Sequence, residues 1–327
     1  MEWNNMKSNK NWMQILNLDI LSVLLWDNTT KRNIIWATNA YAGLGEGFGF
    51  DDEITVESIT GRNKALLKPR NEKTKEERES RSKDKAEVFT PSWICNKQNN
   101  LVDEAWFGRH GVFNQETDSG WITTTEKVSF PAVKKKTWQD YVKARRLEVS
   151  CGEAPYLCSR YDSVTGALIP VKDRIGLLDR KLRIVSENVD SEQEWVFWAK
   201  KAVQSTYGYE WQGDNVLLAR KNILFTFAEH YYEKFGVAPV ERYLLMIAKI
   251  TAWNIWQMDG IRFVIPNSCR VPEEQQFCLF EEIPEGACRG CLKNDHSCHN
   301  GIYCRTYDWS GNRSVEFYSL IKKGRRT

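Results

Sequence analysis

The sequence predicts an α/β fold: a parallel sheet with helical crossovers, preceded by an N-terminal extension and followed by a Cys-rich segment. Three observations predict it. Short apolar runs alternate with helical patterns through the middle of the chain, as parallel strands joined by helices require. Three of those runs end in an acid beside a turn, at Glu148, Glu210 and Asp259. The C-terminal stretch then sets cysteine and histidine at metal-ligand spacing.

Composition frames this reading. The chain has 327 residues, enough for one large domain with additions or for two. Its 42% hydrophobic content is ordinary for a globular protein. A net charge of +3 does not by itself announce a nucleic-acid binder. Basic residues gather only locally, between Arg62 and Lys85 and in Lys322, Lys323, Arg325 and Arg326. The apolar run Ile15–Trp26 is too short to span a membrane and is broken by Asn17 and Asp19. The start at Met1 has no signal-peptide character. The expectation is a cytoplasmic protein with no membrane contact, whose thiols are reduced.

Three regions follow. Residues 1–86 hold the apolar stretches Ile15–Trp26 and Ile34–Trp36, a glycine-rich loop from Gly43 to Gly49, and a charge-dense connector from Pro69 to Ala86. Residues 87–265 carry the alternating pattern. Strands are expected at Arg146–Ser150, Thr206–Trp211 and Asn254–Met258. Helices are expected at Glu194–Gln204, Asp214–Phe235 and Val240–Ile250, with Leu217, Leu218, Ile223, Leu224 and Phe227 at helical spacing in the second. Residues 266–327 are Cys-rich and end in an expected strand, Ser314–Leu320.

Four segments carry chemistry. In Leu147-Glu148-Val149-Ser150-Cys151-Gly152-Glu153 a strand ends in an acid and a tight turn of small residues, which lets backbone N–H groups approach a ligand. In Tyr209-Glu210-Trp211 a second strand ends in an acid that can accept two ribose hydroxyls, beside a ring that can cover a base. Asp259-Gly260 ends a third strand. Phe89-Thr90-Pro91 opens a helix, with the proline fixing φ and Thr90 as an N-cap or ligand contact. Taken singly, the first could be a plain strand–turn–helix connection, Glu210 a strand-end acid facing solvent, and Asp259 is more simply a turn aspartate.

Taken in order, the four resemble the gamma-type amino-methyltransferases of restriction-modification systems, over about residues 86–262. Val88-Phe89-Thr90-Pro91 looks like that family's first element, which lies against the cofactor. Glu148 through Leu157 is similar to its acidic-Pro-Ala-Cys-Gly-x-Gly-x-Phe-Leu signature, departing at Val149 and Ala154. Glu210 with Leu217-Leu218-Ala219-Arg220-Lys221-Asn222 fits the next, and Asp259 the third strand end. Cys158–Ser205 looks like an insertion. The resemblance implies a Rossmann-like methyltransferase sheet that binds S-adenosylmethionine. Phe89, Thr90 and Pro91 would shape the cofactor wall, and Glu148 would hold the methionine ammonium. Cys151, Gly152 and Glu153 would form the turn, Glu210 would bind the ribose, Trp211 would cover the adenine, and Asp259 would take the adenine amino group.

The family's catalytic tetrapeptide, Asn/Asp/Ser-Pro-Pro-aromatic, binds a flipped adenine and stacks on it. Nothing of that form follows Asp259. The chain stops about where the catalytic strand should begin, so the expectation is a split DNA adenine-N6 methyltransferase. A second subunit would carry the tetrapeptide, no catalytic residue would lie here, and double-stranded DNA would be the substrate. The alternative is an inactive cofactor- or DNA-binding regulatory protein derived from such an enzyme. A nicotinamide enzyme is disfavoured because no Gly-x-Gly-x-x-Gly turn follows a strand.

Cys288, Cys291, Cys298, His299 and Cys304 have the spacing of a structural zinc site, Cys298 and His299 competing for one position. Cys269, Cys278 and His296 are spare candidates.

Overall fold

The computed structural model describes residues 16–69, 72–74, 90–269 and 287–324. Phe89, Cys278 and most of the connector from Pro69 to Ala86 lie outside them.

Asn17 starts α1 (Leu18–Leu25), its side chain accepting the Ile20 amide at 2.8 Å. Strands β1 (Trp26–Asp27) and β2 (Arg32–Asn33) form a hairpin whose turn is held by Asp27, an acceptor for the Thr29 and Thr30 amides. The chain runs on through Ile34–Ala37 to α2 (Val56–Ile59). Helix α3 (Ser92–Phe107) precedes a second hairpin, β3 (Asn114–Glu116) and β4 (Trp121–Thr123), and the short helix α4 (Trp138–Lys143).

The central sheet then follows in sequence order. It consists of β5 (Arg146–Glu148), β6 (Thr206–Glu210) and β7 (Ile255–Gln257), with both pairings parallel. Parallel neighbours need long crossovers. Helices α5 (Leu177–Asn188) and α6 (Glu192–Gln204) supply the first, α7 (Gly213–Phe235) and α8 (Glu241–Asn254) the second. The stretch Cys158–Ser205, which resembled an insertion, therefore contains the crossover itself. After β7 come α9 (Arg289–Lys293), the hairpin β8 (Arg305–Asp308) and β9 (Arg313–Glu316), and α10 (Phe317–Gly324). The expected strand over Ser314–Leu320 is thus strand only to Glu316. Phe317 turns inward to pack on Tyr209 and Trp256, and its amide makes the last bond of the hairpin, to the Cys304 carbonyl, before α10 begins. No helix among the described residues is long and apolar enough to cross a membrane.

One core runs from Ile20 to Ile255, so the N-terminal extension and the sheet share an interior. Helix α7 is buried on every side through most of its length. Its Arg220 is fully buried and satisfies four carbonyls: Leu24 at 2.6 Å, Trp26 at 3.1 Å, Ile255 at 2.8 Å and Ala252 at 3.2 Å. Burial draws its guanidinium down to about 10, opposed by Asp27, and it stays charged at neutral pH. This one side chain ties α1 and β1 to α8 and β7. Arg220→Met leaves those carbonyls unpaired and should cost about 3 kcal/mol or more, read as a lower urea midpoint. An unchanged midpoint would remove Arg220 as the tie.

Candidate functional site

A cavity of about 730 Å³ opens at the C-terminal ends of β5 and β6. Parallel register creates it. Glu148, the end of β5, lies opposite Gly208, so β6 runs on past it and ends at Glu210. Both carboxylates line the cavity, as do Thr90, the turn Cys151-Gly152-Glu153, and Trp211. The N-terminal extension adds Ala37, Thr38, Asn39 and Phe50.

The turn after β5 is unusually tight. Ser150, Gly152 and Ala154 all have left-handed backbones, at φ 48°, 52° and 64°. Ala154 keeps a conformation that glycine adopts at least cost. The turn is pinned to β6 twice. Cys151 N–H donates to the Tyr209 carbonyl at 2.8 Å, and Gly152 N–H to the Glu210 carboxylate at 2.9 Å. Cys151 is buried where the strands touch. A Cβ on Gly208 would lie 3.1 Å from its sulfur. Gly213, at the start of α7, is far more tightly constrained, since a Cβ there would fall 2.0 Å from the Ile35 carbonyl oxygen.

Each acid is held by backbone amides. Glu148 accepts from Tyr156 at 3.4 Å and Leu157 at 3.2 Å. Glu210 accepts from Gly152, from Trp211 at 2.8 Å and from Gln212 at 3.2 Å. Burial pushes the Glu148 carboxyl up to about 8, with the nearby Glu210 carboxylate adding to burial and the two amides opposing it. Burial raises Glu210 as well. Deeper in the wall, Tyr161 donates to the Glu153 carboxylate, and Asn222 bonds both the Glu153 carbonyl at 2.8 Å and the Tyr161 hydroxyl at 3.1 Å. Lys73 Nζ stands 3.8 Å from Glu153, with both side chains buried. Trp211 is fixed by its indole N–H on the Ala37 carbonyl at 3.0 Å, and its ring meets Phe50 edge-on.

The remaining expected residues fall as follows. Pro91 is the N-cap of α3, whose first amide, Ser92, is satisfied by Asp162 at 2.9 Å. Thr90 reaches the cavity and accepts Ser163 through its carbonyl at 2.5 Å. Asp259 is not among the cavity walls. Its carboxylate takes the Ile261 and Arg262 amides at 2.9 and 3.0 Å and pairs with the Arg262 guanidinium at 3.4 Å, the work of a turn aspartate. Asn215, Asn222, Tyr161 and Phe50 complete the cavity without having been singled out in the sequence. Asn222 lies within the quoted helix motif and was the nearest to being legible.

A second cluster forms after β7. Cys269, Cys288, Cys291 and His299 place one ligand atom each within 4.8 Å of one another. His299 Nδ1 lies 3.7, 3.4 and 3.6 Å from the three sulfurs in that order. This corrects the expected ligand set. Cys298 is exposed with its thiol on the Asp295 carbonyl, and Cys304 is buried behind β7 on the Gln257 carbonyl at 3.3 Å. Cys269 takes the place in the cluster because Val264 bridges Tyr303 and Ile265 bonds Ile302, folding the upstream cysteine onto the later ones. The four ligand atoms could hold a metal ion. Gly290 leaves room for the imidazole, where a Cβ would lie 2.6 Å from Nδ1. Burial raises the Cys288 thiol, yet the Asn300 and Cys291 amides, with His299, outweigh it and bring the thiol down to about 6. Three thiols and one imidazole at this separation suit a tetrahedral ion.

Comparison with protein-family models, curated proteins and solved structures finds no match.

The raised Glu148 carboxyl has a consequence for stability. In an unfolded chain it ionises near pH 4.3, in the folded chain near 8. Between those values the folded state holds the extra proton, so this residue's contribution is present at low pH and is lost as pH rises toward 8. Glu148→Gln should therefore gain thermal stability relative to the parent between pH 5 and pH 8.5, on the order of 5 °C. A gap in melting temperature that stays flat with pH would show that the carboxyl is not desolvated.

Proposed function

We propose that this cavity binds S-adenosylmethionine and that the chain is the cofactor-binding subunit of a DNA adenine-N6 methyltransferase of the cytoplasm. The central sheet would then be the core of a Rossmann-like methyltransferase domain. One observation carries the reading: two acids at the ends of adjacent parallel strands face a single cavity, the place where such sheets bind nucleosides. The volume lies in the range of small-molecule sites. The four segments quoted from the sequence add chain order to geometry.

The roles follow from position. Glu210, between Gly152 and Trp211, is set to accept ribose hydroxyls with the lone pairs its three amides leave over. Trp211 and Phe50 offer ring faces to the base. Glu148 offers a carboxylate to the amino-acid ammonium. Bound there, the cofactor supplies an activated methyl group. The chain's own residues orient it and exclude water. The catalytic tetrapeptide, absent from this sequence, comes from a partner subunit that also engages double-stranded DNA.

The metal cluster is assigned to structural zinc, held by Cys269, Cys288, Cys291 and His299. All four positions are protein ligands, which leaves no place for a reacting water.

Calorimetry of the full chain with S-adenosylmethionine should show one site per chain. Glu210→Ala should weaken it by roughly 2 kcal/mol, as expected for charge-assisted hydrogen bonds to a ligand. Equal affinity in parent and variant would remove the ribose assignment. Cofactor binding without methylation, even with the partner present, would favour a regulatory protein.

The zinc assignment makes a separate forecast. Elemental analysis should find one zinc per chain. Cys269→Ala and His299→Ala should lose most of it, whereas Cys298→Ala and Cys304→Ala should retain it. Loss in the latter pair and retention in the former would return the ligand set to the one expected from spacing.

A further inference from the structure

The family resemblance gives the adenine amino group to Asp259, whose carboxylate is spent on its own turn and is not among the cavity walls. Ring walls for a base are nonetheless present in Trp211 and Phe50, which meet edge-on at 6.4 Å. A base gripped by its faces alone is not told from another purine, because every base has a π-face. Selection needs a polar group at the base edge. Four carboxamides line the cavity, those of Asn39, Gln212, Asn215 and Asn222. Asn222 is committed to the Glu153 carbonyl, the Tyr161 hydroxyl and the Arg160 guanidinium. Gln212 and Asn215 also have partners within the chain. Asn39 alone of the four makes no side-chain hydrogen bond among the described residues, and it stands exposed at the cavity.

The loop that carries Asn39 is firmly held. At its neck the Ala37 N–H donates to the Phe50 carbonyl at 2.8 Å. The Trp36 indole spans it to the Gly47 carbonyl at 3.0 Å, and the Tyr41 hydroxyl ties it to Asp214 of α7 at 2.7 Å. Compact loops closed and packed in this way present their residues in a fixed place. Ala37 has a left-handed backbone, at φ 49°, and the two residues after it, Thr38 and Asn39, both line the cavity. The same neck holds the rings. Trp211 is bonded to the Ala37 carbonyl, and Phe50 is the far end of the loop. Carboxamide and ring faces therefore stand on one frame.

We propose that Asn39, from the N-terminal extension, is the residue that selects adenine: its Oδ1 accepts from the 6-amino group of the base while its Nδ2 donates to an adjacent ring nitrogen. This rests on the reading of the cavity as the S-adenosylmethionine site. A carboxamide sets one acceptor beside one donor, the complement of an amino group next to an unprotonated ring nitrogen. A carboxylate could accept from the amino group but has nothing to donate to the ring. The carboxamide is also neutral, so it adds no further negative charge to a space that already holds Glu148 and Glu210. Base selection thus passes from the third strand of the sheet to a loop outside it.

The test is calorimetry on the full chain with two ligands, S-adenosylmethionine and its 6-deamino analogue, which carries purine in place of adenine. The unaltered chain should bind the analogue roughly fivefold more weakly, as the loss of one hydrogen bond at an exposed side chain implies. Asn39→Ala should bind the two ligands within about twofold of each other, and Asp259→Asn should keep the preference of the unaltered chain. A preference that survives in Asn39→Ala, or that the unaltered chain lacks, overturns the proposal. So does its disappearance in Asp259→Asn, which gives the role back to the third strand. Loss of all binding in Asn39→Ala overturns it too, since one contact at a base edge cannot carry the whole affinity. Each of these outcomes leaves the cofactor reading standing, because the unaltered chain still binds S-adenosylmethionine. Failure of the unaltered chain to bind S-adenosylmethionine overturns that reading, and the proposal with it.

Discussion

The hydrogen bond from the Gly152 amide to the Glu210 carboxylate organises the site. It joins the turn after one strand to the end of the next. The Cys151 amide on Tyr209 fixes the same turn from below. With both in place, the left-handed residues at 150, 152 and 154 cannot relax, and the backbone wraps the cavity instead of closing over it. Gly208 and Gly213 serve the same end from the other strand and from α7. Gly213 permits a backbone approach that a side chain would block, and Gly208 gives the Cys151 side chain room against β6. Close packing here is therefore a condition for having a cavity, and Arg220 secures the frame around it by linking the N-terminal segment to β7.

Much of this was legible because it is local. The helix at Asp214–Phe235 shows its period directly, and the helix appears at Gly213–Phe235. Strand ends at Glu148 and Glu210 announce themselves as an apolar run, an acid and small residues, and both acids reach the cavity. Asp259 carries the same signal in sequence but spends its carboxylate on its own turn, a distinction set by backbone direction after β7 and invisible in residue type. The N-terminal extension had no chemical motif at all. Ala37, Thr38, Asn39 and Phe50 join the site only because Gln257 bonds both edges of Ile35 and draws that segment onto the sheet.

The cysteines make the same point from the other side. Spacing identified Cys288, Cys291 and His299, which sit close together along the chain. It set Cys298 and Cys304 ahead of Cys269, whereas the choice depends on a bridge between Val264 and Tyr303. That bridge turns Cys304 toward Gln257 and Cys269 toward His299. The facing of residues about this bridge thus decides which thiols join the cluster, and facing is a property of pairing that sequence shows only when both partners are recognised.

The electrostatics of the cavity narrow the class of ligand it suits. Two carboxylates share a desolvated space, and burial raises both. Their amide partners offset only part of that cost. A cationic ligand would relieve it, since an opposite charge within a few ångströms favours the ionised form of each acid. A diphosphate would aggravate it, and the tight turn after β5 already gives its Gly152 amide to Glu210 instead of to an anion. The site is thus electrostatically opposed to an anionic ligand and better suited to a cationic one. Proton release on binding follows from the same argument: a ligand cation that draws Glu148 down from about 8 must expel the proton it holds at neutral pH.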